Sequence, residues 1–229
     1  MKYATVFFDA DDTLFDYQKS ERFALSSTLS HLNIDPSKEI ASAYKTINSG
    51  LWAEREKGAI GIDRLRILRF EMLFEKCGLS CGASFEAISD MYLDFLSSRT
   101  FLMPGAESVC GQLHGKGVVI AIITNGITRV QTTRLENSPI RQYIDRMIIS
   151  EEIGTSKPDK AIFEYAFSLL PDSEPDETLI VGDSLTADIK GGILAGIDTC
   201  WYNPDGKANN SELAPAYEIA SLHDLLSIL

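Results

Sequence analysis

The chain has 229 residues, 45% of them hydrophobic and 24% charged, an ordinary folded composition with length enough for one large domain or two. Its 21 Lys and Arg stand against 33 Asp and Glu, and the net charge of −12 argues against binding nucleic-acid polymers and opposes any phosphate that a cation or backbone N–H groups do not compensate locally. No apolar run approaches the roughly 18 residues of a membrane span, and the N-terminus turns acidic too early for a signal peptide, so a cytoplasmic protein without a membrane partner is expected.

In chain order, the first predicted strand is YATVFF (3–8), and it runs straight into Asp9, Asp11, Asp12 and Asp16. Acidic residues repel one another and are depleted in strands, so their crowding here needs a reason. The next apolar strand, VVIAII (118–123), comes only after a long interval. A single crossover needs about a dozen residues or slightly more. The interval instead carries helical patterns near 19–31, 36–57, 62–77 and 84–98, read as an inserted helical domain over 17–97. Its linkers, 14–19 and 98–105, flank the acidic cluster, so the insert is expected to act as a lid. Further strands are read at 146–150, 178–182 and 198–202, with helical patterns at 106–115, 128–137, 159–169, 187–195 and 221–228. Continuous apolar strands alternating with helices predict an α/β core, a Rossmann-like parallel sheet covered on both faces, built from 1–16 and 98–229. The stretch 203–215 reads as a surface loop. Cys77, Cys81, Cys110 and Cys200 form no CxxC pair, and no His lies close to Cys77 and Cys81, so four reduced thiols are expected.

Parallel sheets present ligands to the carboxyl ends of their strands. Those ends carry Asp9-Ala10-Asp11, Thr124-Asn125-Gly126 and Gly182-Asp183-Ser184 with Asp188 beyond, while Ser156-Lys157-Pro158 follows the strand at 146–150 through a loop. Carboxylates converging on one rim are tolerable around a hard divalent cation such as Mg²⁺, which takes oxygen ligands and also attracts a phosphate. The Thr124 hydroxyl, the Asn125 amide, nearby backbone N–H groups and the Lys157 ammonium would take the remaining phosphate oxygens. In extended backbone Asp9 and Asp11 point to one face and Ala10 to the other.

These four motifs, DADDT (9–13), ITNG (123–126), SKP (156–158) and GDSLTAD (182–188), resemble in content and order those of the haloacid dehalogenase-like phosphohydrolases, and the insert resembles that family's first type of helical cap. The resemblance implies Asp9 as nucleophile forming an aspartyl-phosphate, and Asp11 as general acid and then base. It implies Thr124 and Lys157 as phosphate ligands, and Asp9, the Asp11 backbone carbonyl, Asp183 and Asp188 as the Mg²⁺ set. For Asp188, a helix cap near Ile189 stays an open alternative. The runs ISEEIG (149–154), SKPDKAIFEYA (156–166) and GGILAGIDTCW (191–201), with RLEN (134–137), further resemble bacterial house-cleaning pyrimidine 5′-nucleotidases. A nucleoside monophosphate is then the implied substrate, and Gly58, Ala59 and Ile60 are candidates for reading it. Phosphoglycolate, a sugar phosphate, or a non-catalytic phosphate-binding role are the competing readings, with a monomer or small homo-oligomer expected. Asp12 and Asp16 are read as turn or cap residues, and Trp52 and Phe70 as helix core in preference to base-stacking rings.

Overall fold

The computed structural model describes residues 2–229. Strand β1 (Thr5–Phe8) is followed by four helices, α1 (Tyr17–His31), α2 (Lys38–Glu56), α3 (Ile62–Cys77) and α4 (Phe85–Ser98). Then come α5 (Ala106–Gly115), β2 (Val119–Thr124), α6 (Thr128–Glu136), β3 (Arg146–Ile149), α7 (Ser150–Ile153) and α8 (Lys160–Leu169). The chain continues through β4 (Thr178–Gly182), α9 (Lys190–Ala195), β5 (Asp198–Tyr202) and β6 (Tyr217–Ile219). Two compact units result: Met1–Tyr17 with Thr100–Leu229, and Gln18–Arg99.

The first unit holds one six-stranded sheet in the order β3-β2-β1-β4-β5-β6, and every pairing is parallel. Side chains alternate across it. Val6, Phe8, Ile120, Ile122, Leu179 and Val181 join the core on one face, while Phe7, Ala121, Ile123 and Ile180 join the core on the other. Both faces are covered, so β1 and β4 are buried at every position and read as unbroken apolar runs. Each large aliphatic or aromatic side chain buried this way contributes about 1.5–3 kcal/mol. Chain order reverses between β1 and β4, so their carboxyl ends form the topological switch point where ligands of such sheets bind.

Three local features differ from the sequence-based expectation. β6 lies just beyond the stretch read as loop: it has three residues, no apolar run to announce it, and it pairs only with the edge of β5. The last helical pattern forms a 3₁₀ turn, Leu222–Ser227, closed by a reciprocal Ser221–Asp224 cap. The pattern at 187–195 opens as a π-helical turn, Leu185–Ile189, before α9 begins.

In the second unit, Tyr44, Phe70 and Tyr92 pack ring against ring at centroid separations of 5.4–5.7 Å, with the Arg69 guanidinium 4.4 Å from the Tyr92 ring centre. Phe70 is fully buried there and serves as core. Gly78 takes a left-handed φ of 61° to end α3, which a side chain would strain.

Candidate active site

Asp9 still belongs to the sheet ladder, its N–H donating to the Val181 carbonyl at 2.9 Å. The chain then reverses tightly. Leu14 and Phe15 N–H groups both donate to the Ala10 carbonyl, and Asp12 N–H donates to the Phe15 carbonyl at 2.7 Å. Asp12 has φ of 57°, a left-handed conformation that Asp tolerates better than most side chains, so it is a turn former as its type suggests.

The end of β4 is shaped by a missing atom. A Cβ on Gly182 would lie 2.2 Å from the Asp188 carboxyl carbon, so the absence of a side chain at 182 is what admits that carboxylate. The π-helical turn carries Asp188 back over the strand end, a distortion frequent at functional sites. Ser184 Oγ accepts from the Ala187 N–H at 3.1 Å, and Asp188 Oδ2 accepts in return from the Ser184 N–H at 3.0 Å. Asp188 therefore takes part in a reciprocal cap, but at the π turn and not at Ile189. Its other oxygen faces the site. Trp201 Nε1 donates to the Asp183 carbonyl at 2.9 Å and steadies the same loop.

Asp9, Asp183 and Asp188 thereby bring one carboxylate oxygen each within 4.8 Å of one another. Lys157, also buried, enters from the loop after α7. Its ammonium donates to Asp9 Oδ1 at 2.6 Å, Asp188 Oδ1 at 2.7 Å and the Ile123 carbonyl at 2.5 Å. All three of its N–H groups are thus directed at protein acceptors. Asn125 clamps the backbone of the same residue: its Nδ2 donates to the Lys157 carbonyl, and its Oδ1 accepts from the Lys157 N–H, both at 2.9 Å. Both ends of this amide hold the lysine loop in place, and one of its two Nδ2–H donors is left over for another acceptor. Thr124 ends β2, buried, with its Oγ1 accepting from Gly126 N–H at 3.1 Å.

With all three carboxylates ionised, one ammonium leaves the cluster two charges negative. Burial pushes the Asp9 carboxyl well above its ordinary range. Lys157 opposes this, while Asp188 and Asp183 add to it. Burial, followed by repulsion from Asp188 and Asp12, raises Asp183 to about 7. Burial alone would discharge Lys157, but Asp188 and Asp9 outweigh it and hold the ammonium above its ordinary range. An all-oxygen donor set with uncompensated negative charge fits a hard divalent cation such as Mg²⁺.

Asp11 lies apart from this trio and is held differently. Its Oδ1 accepts from Arg134 Nη1 at 2.5 Å and its Oδ2 from Gln131 Nε2 at 2.6 Å. Sequence reasoning assigned neither α6 residue a role. Their i, i+3 spacing was the available signal, since it puts both on one helix face. Gly58, Ala59 and Ile60 belong to the other unit, in the turn between α2 and α3, with Gly58 and Ala59 exposed and Ile60 half-buried.

Comparison with known proteins supplies the family. The family model for haloacid dehalogenase-like hydrolases matches residues 3–196. The chain is 39% identical to the HAD-hydrolase YfnB of Bacillus subtilis over all of this chain and 96% of that one. A magnesium-bound crystal structure of YfnB, described as revealing interdomain movement, superposes with a TM-score of 0.93 over all of this chain and 99% of that one. Identity is 34% to the pyrimidine 5′-nucleotidase YjjG of Escherichia coli, over all of this chain and 99% of YjjG. It is 35% to the pyrimidine 5′-nucleotidase PynA of Streptococcus pneumoniae, over all of this chain and 96% of PynA. The chain belongs to the haloacid dehalogenase-like hydrolases, and it is a phosphohydrolase of that family.

Proposed function

We propose that the protein is a Mg²⁺-dependent phosphatase of pyrimidine nucleoside 5′-monophosphates, working through an aspartyl-phosphate on Asp9. The observation that carries the chemistry is the placement of Asp9 at the switch point, fixed by Lys157 beside Asp183 and Asp188. The substrate class is supported by similarity to YjjG and PynA along the whole chain. Asp9 attacks phosphorus, and its oxygen displaces the nucleoside alcohol. Asp11 gives that alcohol its proton, then takes one from the water that frees phosphate. The Thr124 hydroxyl and backbone N–H groups of the 124–126 turn meet the phosphoryl oxygens. Lys157 sets the charge and orientation of Asp9. Asp9, Asp183, Asp188 and the Asp11 carbonyl would hold the cation, which offsets charge on the phosphoryl group when bound.

Substrate selection is assigned to the Gln18–Arg99 unit, with Gly58, Ala59 and Ile60 as the residues to vary first. Among the described residues no helix is long and apolar enough to cross a membrane. All four cysteines are free thiols, in keeping with the reducing, cytoplasmic setting proposed for the enzyme.

The test is phosphate release from dUMP, dTMP, UMP, purine monophosphates, phosphoglycolate and sugar phosphates, with Mg²⁺ and with EDTA. Mg²⁺-dependent release greatest on pyrimidine monophosphates is expected. A maximum on another ester would discard the nucleotide reading and keep the chemistry. Undiminished turnover in EDTA would discard the cation.

A further inference from the structure

Arg134 is an unusual residue to bury. It is fully enclosed, its guanidinium carbon 4.6 Å from the centre of the Phe15 ring, and its Nε and Nη2 have no hydrogen-bond partner. Only Nη1 is satisfied, by Asp11. Leaving donors unpaired inside a protein costs stability, and an apolar side chain of similar volume is often as good or better for the fold. Gln131 repeats the pattern: it is buried, its Oε1 is unpartnered, and its Nε2 reaches Asp11. Space for it depends on Gly126, where a Cβ would lie 2.2 Å from Gln131 Nε2. Both side chains are therefore brought, at some expense, to the one carboxyl group of Asp11.

We propose that Arg134 and Gln131 are positioning residues that orient the Asp11 carboxyl for proton transfer at the leaving oxygen. The inference rests on the assignment of Asp11 as proton donor above. With one donor on each oxygen the carboxyl group is restrained against rotation, and its remaining lone pairs keep fixed directions. General acid–base transfer depends on such placement and contributes about 10²–10⁴-fold.

The test compares two esters in single-turnover reactions with Mg²⁺: the alkyl phosphate that the substrate panel ranks first, whose alcohol needs a proton to depart, and p-nitrophenyl phosphate, whose leaving group does not. Gln131→Met, Arg134→Met and Arg134→Lys are each checked for folding by circular dichroism and melting. We expect the methionine variants to lose about 10²-fold on the alkyl ester, the lower end of the acid–base range, and only a few-fold on the aryl ester. Arg134→Lys should recover part of the loss. If Arg134→Met fails to fold, Gln131→Met decides. Equal losses on both esters, or no loss on either, would overturn the proposal. Asp11→Asn run alongside separates the two ideas. If it shifts the alkyl-to-aryl ratio and the α6 variants do not, the positioning role alone fails. If it leaves the ratio unchanged, the proton-donor assignment fails and takes the positioning role with it.

Discussion

Asp9 is asked to be a nucleophile while buried among other acids, and the side chain that permits this is Lys157. Its ammonium touches Asp9 and Asp188 together, so one positive charge is shared between two of the three carboxylates that would otherwise repel. Asp9→Asn keeps the shape and a hydrogen-bond acceptor for Lys157 but removes the attacking charge. Turnover should vanish with the melting temperature little changed, and wild-type kcat in a sample free of deamidation would contradict the nucleophile assignment. Asp183 gives a pH prediction. Its folded carboxyl is raised from 3.8 to about 7, so the native state binds that proton more tightly than the unfolded chain does. That contribution to stability is complete below the ordinary carboxylate range and lost as pH rises through about 7. Chelator-treated protein should therefore melt lower at pH 8 than at pH 6, and Asp183→Asn should flatten that difference. Added Mg²⁺ should raise the melting temperature more at pH 8 than at pH 6, because protons compete with the cation at low pH. A pH-independent Mg²⁺ shift would show that this carboxylate is not a ligand.

Between strand and helix, the π turn after β4 has no slack. Asp188 fills the space a side chain at 182 would need, and it is pinned by both Ser184 and Lys157. Gly182→Ala should cost about 1–3 kcal/mol as an overpacked site and also depress Mg²⁺-dependent turnover. Melting and rate measured on one sample check this, and wild-type values for both would mean the turn can shift freely. This element also shows what a sequence hides. The five longer strands were legible because a sheet covered on both faces demands unbroken apolar runs, and the carboxylates at their ends were legible because topology sends those ends to one rim. β6 was not, because three residues at a sheet edge need no such pattern. Asn125 was read by chemical type as a phosphate-binding group. Its clamp on a backbone 32 residues on is something no local spacing reveals. Gln131 and Arg134 were given no role, and only the fold carries them to a carboxylate more than a hundred positions earlier.

For the molecule as a whole, burial separates the four thiols by unit. Cys110 and Cys200 lie at zero exposure in the core of the sheet unit, and burial pushes both thiols up to about 12. Cys77 and Cys81 are half-buried in the helical unit. The thiolate is the reactive form, so the core pair is protected twice, by access and by protonation. A disulfide-exchange reagent at pH 8 should label Cys77 and Cys81 in the native protein and all four thiols only in denaturant, which mass spectrometry of the labelled peptides reads directly. The raised core thiols also set an alkaline limit. Their contribution to stability is full below an unfolded thiol's ordinary value near 9 and is lost as pH rises from there toward about 12, so the core pair should become reactive in step with alkaline unfolding. Labelling of Cys110 or Cys200 at the rate of Cys81 at pH 8 would mean that the sheet unit opens far more readily than its packing implies.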